Sequence, residues 1–172
     1  MTYKVTIKGT GSYTPDTILK NSSICETVDT TPDWILSKLG INERRIAAVG
    51  EATSDMAVAA AQMALDDASM NVGELDLILV ATATPDRLAP STAAIVQGKL
   101  GVSSAAAFDV GTVCSGYIYA QSIAAAMIAS GMYANALVIG ADRFSGITDW
   151  SRRDCVFFGD GAGATILERS AS

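Results

Sequence analysis

Leu75 to Thr82 and Ala136 to Gly140 read as continuous apolar strands, and such strands are stable only when both of their faces are covered. Helical patterns lie between and before them. Asn21 can cap a short helix to about Val28, and Thr31-Pro32-Asp33-Trp34 opens another that Gly40 stops. Thr53 or Ser54 caps a longer helix to about Met70, with Met56, Ala60, Met63 and Ala64 along one face. Ser91 to Leu100 is helical up to Gly101, and Ser115 to Ser130 up to Gly131. Tyr3 to Thr10 reads as a first strand and Ala105 to Val110 as a buried one. The tail, Cys155 to Phe158 and Ala164 to Leu167, reads as a hairpin pair around Gly159–Gly163. Alternating strands and helices predict a layered α/β domain. No linker divides the 172 residues, so residues 1–172 are expected to form one domain.

Cys114 stands where a strand breaks into the first turn of a helix, in Ala107-Phe-Asp-Val-Gly-Thr-Val-Cys-Ser-Gly-Tyr117. Unpaired N–H groups and the positive end of the helix dipole favour a thiolate at such a bend. Serine nucleophiles of other α/β enzymes occupy the same kind of turn. A lone cysteine between apolar segments is otherwise a small buried hydrophobe; the strand–Gly–helix context is what points to a nucleophile. The chain has no histidine, so the usual proton acceptor must come from elsewhere.

The formal net charge of −6 argues against nucleic acid as a partner, because phosphate binding needs a basic footprint. Three cysteines give no disulfide framework and suit a reducing cytoplasm, with Cys25 in a short helix and Cys155 in a strand as structural residues. The amino terminus alternates like a strand without a signal-peptide apolar region, and no run approaches the ~20 apolar residues of a membrane span. A soluble cytoplasmic protein is expected. Gly159-Asp-Gly-Ala-Gly163 lacks the Lys-Ser/Thr of a phosphate loop. It reads better as a close-packed turn beneath the site, with Asp160 satisfying backbone donors.

The chain resembles the amino-terminal half of a β-ketoacyl-acyl-carrier-protein synthase III, of the thiolase-like superfamily. The matching residues run from Gly9-Thr-Gly-Ser-Tyr13 through Asp33-Trp-Ile35, Gly40-Ile-Asn-Glu-Arg44, Ala81-Thr82, Pro90-Ser91, Phe108-Asp109 and Cys114-Ser-Gly116 to Phe158-Gly-Asp-Gly-Ala-Gly163. The resemblance implies one of two pseudo-symmetric halves, a mixed five-stranded sheet layered with helices, in a five-layered whole. It implies an acyltransferase whose cysteine, here Cys114, takes an acyl group from acyl-coenzyme A. Malonyl-acyl carrier protein then decarboxylates and condenses with it. Coenzyme A enters as substrate, and no cofactor or metal is implied. A histidine and an asparagine of the carboxyl-terminal half support decarboxylation in the family. That half is expected on a second polypeptide or on the rest of a chain broken near Ser172, and the completed enzyme is expected to be a homodimer. A non-catalytic half that binds an acyl carrier or scaffolds a partner, and an acyl-thioester hydrolase, are the alternatives.

The resemblance also implies substrate-handling residues. Trp34 would stack on the adenine of coenzyme A. Lys38 stands where the family has an arginine, keeping the charge without the bidentate fork. In Arg152-Arg153-Asp154, Arg153 is favoured to face the adenine opposite Trp34, with Arg152 left open by the spacing to Phe158. Ala89 replaces a larger residue that reaches across the dimer, leaving more room for an acyl chain. Lys38, Arg44, Arg45, Arg87, Arg152 and Arg153 could gather at one mouth for acidic acyl carrier protein, or scatter as solvated charges.

Overall fold

A computed structural model describes residues 3–170; Met1, Thr2, Ala171 and Ser172 lie outside it, and with them the expected break near Ser172. The main sheet has five strands in the order β1-β7-β6-β4-β5: β1 Val5–Tyr13, β4 Leu77–Ala81, β5 Ala106–Val110, β6 Asn135–Arg143 and β7 Asp160–Arg169. β6, β4 and β5 are parallel, whereas β7 runs antiparallel to both β6 and β1. The sheet is therefore mixed, as expected.

All five residues of β4 are buried, and the period-two alternation of a strand divides them between two cores. Ile78 and Val80 pack with α3 (Thr53–Ala68) and α4 (Thr92–Leu100), while Leu77, Leu79 and Ala81 pack with α5 (Gly116–Ala129). The topology explains the split. From β4 the chain crosses to β5 on one side, and from β5 it returns past β4 to β6 on the other. Crossovers of one hand running in opposite directions place their helices on opposite faces. β5, by contrast, is an edge strand with only Val110 buried and Phe108 exposed, so the expectation of a buried strand there fails.

Glycine brings α3 down onto β1. A Cβ on Gly9 would lie 2.5 Å from the Ala68 amide nitrogen, and one on Gly11 2.5 Å from that of Ala64. A smaller layer covers one end of the sheet: strands β2 (Thr17–Lys20) and β3 (Glu43–Ile46), with helices α1 (Asn21–Ile24) and α2 (Pro32–Leu39). Its core holds Ile24, Val28, Ile35, Cys155 and Val156.

Helix stops fall where expected, with Gly40, Gly101 and Gly131 left-handed at φ 71°, 75° and 85°. Other expectations are corrected. Asn21 does not cap α1; its buried side chain donates to Ile41 O and accepts from Arg44. Neither Thr53 nor Ser54 caps α3, which begins after Ala52; Asp55 accepts from Ala52 N and Asp86 from Ser54 N. Met63 is exposed, off the buried stripe of Met56, Ala60 and Ala64. Cys155 lies in a 3-10 segment, Arg153–Phe157, rather than a strand, so the tail is a single strand between β6 and β1 and not a hairpin. Cys25 sits in the turn just past α1. Among the described residues no helix is long and apolar enough to cross a membrane, and no three His, Cys, Asp or Glu side chains cluster to hold a metal.

Candidate active site

The carboxyl ends of the parallel strands converge on one cavity. Loops leaving the neighbouring strands β4 and β5 diverge to opposite faces of the sheet, which opens a crevice at the point of divergence. After β5 the chain makes a 3-10 turn, Val113–Ser115, and enters α5 at Gly116. Val113 is held at φ 51°, a left-handed conformation that is strained for a β-branched residue by about 1–2 kcal/mol. That bend lifts Cys114 out of the sheet, and the thiol-bearing residue is exposed. Gly116 makes the close start of α5 possible, since a Cβ there would meet the Ala81 Cβ at 3.1 Å. The sequence placed the cysteine at the entry to the helix; the structure inserts one tight turn between strand and helix.

A cavity of about 360 Å³ opens beside Cys114. Gly140 of β6 and Gly159, Gly161 and Gly163 of the β7 segment form its floor, and Phe144 is one wall. The glycine run thus lies beneath the site as expected, but as the start of β7 rather than as a turn. Asp160 meets its expectation in full. Its Oδ2 accepts from Ala47 N at 2.7 Å and from Ser145 Oγ at 2.5 Å, and its Oδ1 accepts from Ser145 N at 2.8 Å.

Two carboxylates to which the sequence reading gave no role also order the site. Asp142, at the end of β6 and in the cavity wall, accepts from Thr82 Oγ1, Ala83 N and Thr84 Oγ1 at 3.2, 2.7 and 3.1 Å. Asp109 of β5 accepts from Thr92 N and Ala93 N at 2.8 and 2.7 Å, tying the first turn of α4 to the strand that leads to Cys114. A carboxylate within the last two residues of a parallel strand is the signal that would have found both.

A second cluster forms on the smaller layer. Thr31 caps α2 by accepting from Trp34 N, and the Arg153 guanidinium lies 4.6 Å from the centre of the Trp34 ring. Arg152 instead pairs with Asp154 at 3.0 Å, so Arg153 is the arginine that faces the tryptophan. Lys38 follows Trp34 by one helical turn and is exposed. Phe144 links the two regions: it stacks on Phe158 with ring centres 4.9 Å apart, and the two rings share a smaller cavity with Arg152 and Asp154. Ala89 lies exposed in the loop between β4 and α4, next to fully exposed Leu88, and does not line the Cys114 cavity.

The six basic residues do not gather at one mouth. Arg44 is buried, donating to Asn21 Oδ1 at 3.1 Å and to Val156 O at 2.9 Å, and this burial pulls its guanidinium below its ordinary pKa. Arg45 donates to Pro15 O, and Arg87 lines a different cavity. Cys155 is fully buried near Arg44, and burial pushes its thiol up. Iodoacetamide is therefore expected to label Cys114 first and Cys155 only on unfolding. Peptide mass mapping along a labelling time course checks this, and equal rates at both would contradict the burial pattern.

Comparison with known proteins finds similar sequences and similar folds. The family model of 3-oxoacyl-[acyl-carrier-protein] synthase III matches residues 108–172, which include Cys114. The beta-ketoacyl-[acyl-carrier-protein] synthase III of Neisseria gonorrhoeae is 54% identical over 166 residues, covering 95% of this chain and 52% of that protein. That of Laribacter hongkongensis is 51% identical over 162 residues, with 94% and 51% covered. The crystal structure of 3-oxoacyl-[acyl-carrier-protein] synthase III from Aquifex aeolicus superposes with a TM-score of 0.94 at 47% identity, over 98% of this chain and 55% of that one. The priming beta-ketosynthase of the R1128 polyketide pathway gives 0.93 at 35% identity, over 98% and 51%. The chain spans about half the length of the relatives it matches. In sequence and in thiolase-like fold alike, it is a relative of the beta-ketoacyl-[acyl-carrier-protein] synthases III.

Proposed function

We propose that this chain carries the acyl-accepting half of a ketosynthase that initiates fatty acid or polyketide synthesis. The observation that carries the reading is the exposed Cys114, lifted by the strained Val113 bend over a floor of glycine backbone. The Cys114 sulfur attacks the carbonyl carbon of an acyl-coenzyme A thioester. The carbonyl electrons move onto oxygen, the tetrahedral centre collapses, and coenzyme A leaves as its thiolate to be protonated. The product is an acyl-Cys114 thioester. The Cys114 backbone N–H, at the start of the turn, is one donor for the transient oxyanion. Trp34 and Arg153 touch each other at 4.6 Å, so the adenine takes the Trp34 face only after the exposed Arg153 side chain swings off it to close over the base, and exposed Lys38 one turn on meets a phosphate of the same ligand.

Condensation then needs malonyl-acyl carrier protein to lose carbon dioxide. The resulting enolate attacks the Cys114 thioester, forming the carbon–carbon bond and returning the thiolate. Donors aimed at the enolate oxygen are essential, since each is worth about 10²–10³ in rate. The chain contains no histidine, and we assign those donors to a complementary half. The outer surface of α5 supports such a partner. Ile118 and Tyr119 are 64% and 51% exposed there, and no charged residue occurs between Asp109 and Asp142. A helix apolar all round is normally buried on all sides.

Incubation with acetyl- and longer acyl-coenzyme A followed by intact-protein mass measurement tests the reading. An acyl adduct on Cys114 is expected, and Cys114→Ala is expected to remove it. Coenzyme A release without an adduct would show hydrolysis instead, and neither event would leave a binding or scaffolding half.

A further inference from the structure

Arg143, the last residue of β6, has a guanidinium with no hydrogen-bond or ion-pair partner among the described residues, and its Nε is buried without an acceptor. Only its backbone is engaged, donating to Thr84 Oγ1 at 2.7 Å. The surrounding carboxylates are already committed. Asp142, the preceding residue, serves Thr82, Ala83 and Thr84; Asp160, opposite Arg143 in the sheet, serves Ala47 and Ser145; Asp86 accepts from Ser54 N and Oγ. A buried guanidinium nitrogen without an acceptor is costly, and a planar carboxylate is the shape that satisfies its fork.

The same side chain stands on the rim shared by two cavities. One, of about 400 Å³, also contains Arg87, whose guanidinium likewise has no partner among the described residues. The other, of about 480 Å³, has apolar walls of Ile18, Leu19, Ile24, Ile46, Val49 and Trp150. It shares no residue with the Cys114 cavity. The end of β6 and the 3-10 turn after it separate them: Asp142 and Phe144 line the cysteine side, while Arg143 and Ser145 line the apolar one.

We propose that Arg143 and this apolar cavity form a binding site for a medium-chain carboxylate, its head on the guanidinium and its tail against Ile18, Ile24, Ile46 and Trp150. The three nearby aspartates repel a bare anion, so the head alone does not secure binding; the tail does. Each methylene withdrawn from water raises affinity by up to about fourfold. An occupant would touch the strand end whose other side walls the Cys114 cavity.

The chain has two tryptophans, so Trp34→Phe leaves Trp150 as the sole reporter in the cavity wall. That variant is titrated with decanoate below its micellar concentration, and with hexanoate, decanol and inorganic phosphate. A saturable change in Trp150 emission with decanoate is expected, weaker with hexanoate and at least tenfold weaker with decanol or in Arg143→Met. Arg143→Lys should fall between, and Ile18→Asp, at a half-exposed position, should weaken the tail contact without disturbing the fold. Cys114→Ala should leave decanoate binding unchanged. The proposal is overturned by no saturable response, by equal affinity in Arg143→Met with its melting curve intact, or by loss of binding in Cys114→Ala. Phosphate displacing decanoate at matched concentration, or a ligand-free emission change that tracks self-association and marks the cavity as closed by a second copy, would overturn it equally.

Discussion

Replacing Gly11 by valine is expected to leave the chain without a stable fold. The position faces α3 so closely that even a Cβ would lie 2.5 Å from the Ala64 amide nitrogen and 2.8 Å from the Met63 Cβ. The obstructing atoms are helix backbone, which cannot rotate aside as a side-chain tip can. α3 would have to lift off β1 and expose Ala57, Ala60, Ala61 and Ala64, all fully buried. Overpacking in ordinary cores costs about 1–3 kcal/mol. Here the whole helix–strand contact is displaced, so a loss above about 5 kcal/mol is expected, comparable with the entire stability of a marginal domain. Gly98→Ala in α4 is the control, because a Cβ there meets nothing within 4 Å. It should gain about 0.5–1 kcal/mol from helix propensity. Soluble yield and thermal denaturation measure both, and a Gly11→Val protein melting within a few degrees of the parent would refute the packing argument.

The second large effect is expected from Asp160→Ala. Asp160 is 8% exposed and holds Ala47 N, Ser145 N and Ser145 Oγ. These belong to two other parts of the molecule, the end of β3 and the turn after β6, which Asp160 ties to the start of β7. Alanine would leave two backbone N–H groups unpaired in a poorly hydrated place, at about 1–3 kcal/mol for each orphaned donor. A loss of about 3–5 kcal/mol is therefore expected from denaturant titration. Asp160→Asn keeps one acceptor oxygen and should lose roughly half as much. Because the smaller layer is tied to the sheet through Ala47, buried Cys155 should also alkylate faster in Asp160→Ala than in the parent. Unchanged protection of Cys155 would show that the two layers are held together by other contacts.

Signals that are local in the chain were legible before the fold was known. Thr31-Pro32 and Ser91 open helices, and Gly40, Gly101 and Gly131 close them, because caps and left-handed stops depend on a few adjacent residues. The cysteine bend was readable for the same reason. Arg44 was not, since Glu43-Arg44-Arg45 looks like a solvated charge run. Its partners are Asn21 Oδ1 and Val156 O, neutral groups far away in sequence, and only the strand alternation of β3 turns the middle charge inward. β5 misled in the opposite sense: its composition suits burial, yet its place at the edge of the sheet leaves it half open, and order within a sheet is a long-range property. Asp109, quoted only as part of a motif, and Asp142 received no role because their donors, Thr82 to Thr84 and Thr92 to Ala93, come from neighbouring connections rather than from their own strand.

The glycine floor sets a limit on how this pocket can change. A Cβ at Gly140 would strike the Tyr117 ring at 3.1 Å, one at Gly159 the Arg44 Cβ at 3.1 Å, and one at Gly161 the Tyr13 carbonyl at 3.2 Å; only Gly163 has open space. An inhibitor that captures Cys114 and draws its grip from those main-chain surfaces would confront atoms that a substitution at Gly140, Gly159 or Gly161 alters only if a packed neighbour gives way by a few tenths of an ångström. Escape would run first through Gly163 or through wall side chains such as Val113 and Phe144, a short and enumerable set of resistance routes.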